Sequence, residues 1–112
     1  MLVFYSETQG RPNVPAESPR DECLEHVFQI FRGLDVRRGF MGIPLQSPFV
    51  LQLLPSKKGV RIELIDSSRP SVDTCETDIV IAEQLIEAAS EGLDVCQIAR
   101  RAVSEWEHTD LR

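Results

Sequence analysis

Thiols and imidazoles are scarce in this 112-residue chain: three cysteines, Cys23, Cys75 and Cys96, and two histidines, His26 and His108. Cys23-x-x-His26 is the sharpest pairing. Residues i and i+3 on a helix can reach one ion, and tetrahedral zinc accepts three thiolates and an imidazole, with Cys75 and Cys96 completing the set. The remaining spacing argues against a metal, because standard zinc modules supply a second close pair. All three cysteines also sit beside apolar positions, where a free thiol behaves as a small hydrophobe. No metal and no cofactor are expected. A nucleophile would need a neighbouring base. His26 falls on the polar side of its helix, and His108 lies close to the end of the sequence, where chains fray. There is no G-x-S-x-G, no phosphate-binding glycine loop and no H-E-x-x-H. The sequence therefore points away from an enzyme; a small enzyme or ligand-binding domain with a site assembled in space is the alternative.

Carboxylates are the abundant chemistry. Eighteen acids against twelve lysines and arginines give a net charge of −6. Residues 71–112 hold ten acids and three arginines, whereas residues 46–70 hold four cations and two acids. Phosphate backbones and anionic lipid surfaces select clustered cations, so no nucleic acid and no membrane is expected as a partner. A basic protein is favoured, and a homo-oligomer is compatible with the sequence. Glu76, Glu83, Glu87 and Glu91 are expected along one face of a helix near the C-terminus. Like charges at i, i+4 cost an isolated helix about 0.2–0.5 kcal/mol per pair, so helix stability does not ask for them. They are the candidate partner-binding residues, with an ordinary solvated face as the plain alternative.

The elements that would carry these groups can be read in order. Leu2–Tyr5 is a β-prone run suited to an edge strand. Residues 6–18, with Gly10, Pro12 and Pro15, read as an extended loop or arm. Ser18 and Pro19 have the chemistry of an N-cap and first helical residue, and Leu24, Val27, Phe28 and Phe31 follow at helical spacing. Gly39–Ile43 is a candidate strand. Phe49–Leu54 is apolar except for Gln52, the pattern of a strand covered on both faces. Val60–Ile65 alternates, with Val60, Ile62 and Leu64 directed one way, and Pro55–Gly59 supplies the hairpin turn between the two. Asp66–Thr77 reads as a crossing loop with room for a short extended piece. A helix over 78–91 follows, and a second, starting at Asp94 with Gln97 three residues on, is expected to run through Trp106.

Glu91-Gly92-Leu93, Ile98-Ala99-Arg100-Arg101 and Ser104-Glu105 form a pattern similar to the helix-turn-helix of response-regulator transcription factors. The resemblance implies a DNA-binding regulator with a degenerate helix-turn-helix at 78–112 and a recognition helix opening at Ser104. This chain departs from the pattern between Arg101 and Ser104, one residue short and without the turn glycine. Its would-be recognition segment carries Glu105, Glu107 and Asp110, which would meet phosphates with carboxylates.

The expected fold is a single α+β domain over residues 1–112. A small antiparallel meander of three or four strands is packed on one face by about three helices. No apolar run is long enough to span a bilayer, and no signal-like segment opens the chain. With a sparse, odd cysteine count, this points to the cytoplasm. The expected function is a non-enzymatic interaction module, an adaptor or inhibitor presenting an acidic helical face to a basic protein.

Overall fold

A computed structural model describes residues 1–111. Its strands are β1 (Leu2–Ser6), β2 (Arg20–Asp21), β3 (Phe40–Pro44), β4 (Phe49–Ser56), β5 (Gly59–Asp66), β6 (Ser71–Thr77) and β7 (Glu107–Asp110). Three helices interrupt them: α1 (Leu24–Arg32), α2 (Ile79–Ser90) and α3 (Val95–Ala102). The class is α+β, but the expected three- or four-stranded sheet is too small. All seven strands join one antiparallel sheet in the order β2-β1-β3-β4-β5-β6-β7.

The alternation of Val60–Ile65 pairs as its pattern predicts. β4 and β5 form a hairpin with Leu53 opposite Ile62 and Ser56 opposite Gly59, leaving Lys57 and Lys58 as the turn. Gly59 closes it at φ +129°, where a Cβ would stand 2.7 Å from the carbonyl oxygen of Thr77. Val60, Ile62 and Leu64 are buried under the helices, with Leu51, Leu53, Met41 and Ile43 of the neighbouring strands. From the helix side come Val27, Ile30 and Phe31 of α1, Ala82, Leu85 and Ile86 of α2, and Val95 and Ala99 of α3.

Three strands account for the larger sheet. Ser71–Thr77, expected as loop, is β6; its serine, threonines and aspartate hide a strand that pairs with β5 along its whole length. The segment after Trp106, expected as helix, is β7, pairing Asp73 with His108 and Ser71 with Asp110. Arg20–Asp21, expected inside the first helix, pairs with Leu2 and Val3 as β2. The amino group of Met1 donates to the carboxylate of Asp21 at 2.8 Å and to the carbonyl of Glu22 at 2.9 Å. These bonds and the pairing with β1 hold Arg20 and Asp21 extended, so α1 starts only after Cys23, without a side-chain cap. β1 is consequently interior, and Val14 of the arm exchanges both backbone hydrogen bonds with Tyr5 on its outer side.

Candidate functional site

The helices leave one face of the sheet bare. Alternation puts Phe4, Phe40, Gly42, Pro44, Val50, Gln52, Leu54, Arg61, Glu63, Ile65, Val72, Thr74 and Glu76 on that face. Register arranges part of it as a cross-strand row, Pro44–Val50–Ile65–Val72. All four are half-buried. The adjoining row is polar at its centre, where the Gln52 amide donates to Oε1 of Glu63 at 3.0 Å and Nε of Arg61 donates to Oε2 at 3.2 Å. Phe4 lies across Gly42, close enough that a Cβ there would stand 1.9 Å from the ring, and meets Phe40 edge to face. A one-faced antiparallel sheet ordinarily turns polar residues outward. Here one row is apolar instead, and no helix lies over it, so Phe49–Leu54 has helices on one side only, contrary to the expectation of cover on both; Phe4 and Thr74 are nevertheless buried on this face.

The four predicted carboxylates do not share one face. Glu76 belongs to β6 on the bare sheet face, because α2 begins only at Ile79, and its carboxylate accepts from the Ser56 hydroxyl. Glu83 is spent on α1, accepting from Nε of Arg32 at 2.7 Å; that bond also raises the guanidinium pKa. On α2, Glu87 and Glu91 stand exposed, and no ion pair among the described residues involves them. They line the outermost side of α2 below Val80, at i+7 and i+11 from it. Ile79 and Val80, 53% and 64% exposed, head that side. By helical spacing Ile79 shares a stripe with the buried Ala82 and Ile86. Its place in the first turn, one residue past the Asp78 cap that accepts from the Ile81 amide, lifts it clear of the sheet.

Cys23, His26, Cys75 and Cys96 remain apart. Cys75 is buried in β6 under the helices, Cys96 is half-buried on α3, and Cys23 is exposed at the head of α1. His26 lies 3.4 Å from Glu22. Among the described residues no three His, Cys, Asp or Glu side chains gather as a metal site. Burial, aided by Glu76, pushes the Cys75 thiol up to about 11, and burial followed by Asp94 raises that of Cys96. Neither thiol is poised as a nucleophile. A cleft of about 580 Å³ between the β3–β4 loop and the α2–α3 junction includes Cys96 and Asp94 but neither histidine. The Asp94 carboxylate is engaged in capping α3 through the Gln97 amide.

His108 is not frayed. Its Nδ1 lies 2.5 Å from Asp73 and its Nε2 3.2 Å from Asp110, while Arg100 of α3 donates to the other Asp73 oxygen at 2.6 Å. Hydrogen bonds to the Asp73 and Asp110 carboxylates raise the imidazole pKa. Burial alone would raise Asp73, but His108 and Arg100 outweigh it and hold it below the usual range. The Nδ1 bond to Asp73 fastens β7 to β6, and Arg100 ties the same carboxylate to α3. Sequence spacing could not find this cluster, whose members meet only through strand register. The same strand occupies the place of the recognition helix that the regulator resemblance implied.

No protein-family model matches the chain, and no curated protein or solved structure is significantly similar to it. No helix among the described residues is long and apolar enough to cross a membrane.

Proposed function

We propose that the chain is a non-enzymatic, cytoplasmic protein-interaction module that binds a basic protein through the outward side of α2. The observation that carries this reading is the exposed Val80, with exposed Ile79 beside it, standing in line with the unpaired carboxylates Glu87 and Glu91. Interfaces combine an apolar anchor with a polar rim, and rim charges mainly accelerate encounter. Here Val80 is the anchor, and Glu87 and Glu91 supply the steering. The complementary surface is cationic around an apolar depression. Glu83 contributes less than its position in the sequence promises, because Arg32 already neutralises it.

The test is a photocrosslinking residue at Gln84, on the shoulder of this side, used in the native cell to capture the partner for purification. With the purified pair, Glu87→Lys/Glu91→Lys should slow association at least about tenfold at low salt, an effect that shrinks as salt rises. Val80→Ser should mainly speed dissociation. A captured partner whose rates ignore both variants overturns the reading.

A further inference from the structure

We infer that the bare face of the sheet is the interface of a homodimer, closed by a second copy of the same chain. The inference is independent of the α2 reading, which concerns the other side of the molecule.

Three observations select this occupant. The first is self-complementarity. A dyad parallel to the strands and midway between β4 and β5 exchanges the two strands' positions. Given the register, it sets Val50 against Ile65 of the other copy, Pro44 against Val72, and Gln52 against Glu63. In these rows apolar residues meet apolar ones and the central amide meets a carboxylate, as an isologous contact requires, while the next row sets Leu54 against the aliphatic stem of Arg61. The second is the satisfied state of the two charges beside the dyad, Glu63 and Arg61, which pair with each other. Glu63 already accepts from both Gln52 and Arg61, so covering it strands no bare carboxylate. The third is area. β1, β3, β4, β5 and β6 lie side by side, and β4 and β5 are eight residues long. At about 4.8 Å between strands and about 3.3 Å per residue, these strands at their own lengths offer roughly 520 Å² per copy. Two copies bury about 1,050 Å², the small end of specific interfaces, as suits a dimer that dissociates at micromolar concentration.

Each copy carries a net charge of −6, so the dimer forms against general repulsion and should tighten with salt. That is the opposite of the salt response expected at α2.

Sedimentation equilibrium of the full chain, across low to high micromolar concentration and at low and high salt, tests the inference. The expected result is a monomer–dimer equilibrium that tightens with salt. Ile65→Lys and Val50→Lys, each placing two like charges beside the dyad, should raise the dissociation constant at least about tenfold. Circular dichroism on the same samples should show the native fold. Val36→Lys removes an apolar residue that is 77% exposed in the loop after α1 and should leave the equilibrium unchanged. Three results would overturn the inference: a monomer at every concentration, a dimer that survives both sheet-face substitutions, or a monomer that covers this face only when a different protein binds.

Discussion

Gly42 is the position where the sheet tolerates least, and its replacement by alanine can be worked through from the geometry. The Phe4 ring lies over the Gly42 backbone. A Cβ would stand 1.9, 2.3 and 2.5 Å from three ring carbons, whereas ordinary contact begins near 3.4 Å. The ring must therefore retreat by about 1.5 Å, and β1, tied on both sides by β2 and β3, cannot follow it. Phe4 is 7% exposed, so retreat turns buried aromatic surface toward water. Overpacking of this kind costs about 1–3 kcal/mol. Alanine returns about 0.5–1 kcal/mol of backbone entropy relative to glycine. The net loss should be about 1–2 kcal/mol, a fall in Tm of roughly 4–10 °C for a chain of this length. Urea unfolding followed by circular dichroism measures it, in the Ile65→Lys background so that association does not contribute. In a Phe4→Ala background the same substitution should cost nothing, and the double-mutant cycle should return a coupling of about the single-variant loss. An unchanged or raised midpoint for Gly42→Ala would refute the reasoning. So would an equal cost with and without the Phe4 ring.

Three further outcomes follow from the charge and thiol environments. Glu83→Gln should destabilise by removing the carboxylate that Arg32 binds, while Glu87→Gln should stabilise by about 0.2–0.5 kcal/mol through relief of repulsion at i, i+4. Equal signs in thermal unfolding would contradict the pairing. The attachment of β7 should depend on pH in both directions. The raised His108 contributes fully below its ordinary 6.5 and is lost as pH climbs through its native value; the lowered Asp73 contributes above 3.8 and is lost as pH falls through its own. Amide exchange in Glu107–Asp110 should thus be slowest between those limits after correction for intrinsic rates, and His108→Gln should abolish the alkaline loss while weakening the acid one, which Arg100 still sustains. Alkylation near pH 8 should modify Cys23 well before Cys96 and Cys75, read by peptide mass; fast labelling of Cys75 would show that burial does not protect it.

Local chemistry was decisive wherever an element could satisfy itself locally. Asp78 and Asp94 cap α2 and α3 through the Ile81 and Gln97 amides, three residues on in each case. The alternation of β5 and the short Lys57–Lys58 turn specify the hairpin. Failure came where a distant strand decided the matter. Ser18-Pro19 has every feature of a helix start, yet pairing with β1 and the Met1 ammonium keep the next residues extended. β6 looks like a loop by composition because its polar residues are β-branched or small, and only the β5 ladder makes it a strand. The acidic face failed for the same reason. Glu83 meets Arg32 across 51 residues, a pairing that no helical spacing reveals.

One mismatch between sequence and fold has a physical resolution in the dimer. Phe49–Leu54 is patterned for cover on both faces, yet the chain supplies helices to only one. Leu51 and Leu53 are fully buried, whereas Val50 and Leu54 on the opposite face are half-exposed to water beside Ile65. Solvation alone would favour polar residues at those positions, and strand propensity is equally served by threonine. The apolar choice gains free energy only when something dry covers it. A second copy covers Val50 with Ile65 and Ile65 with Val50. A run of sequence that looks wrong for one chain is then correctly patterned for two.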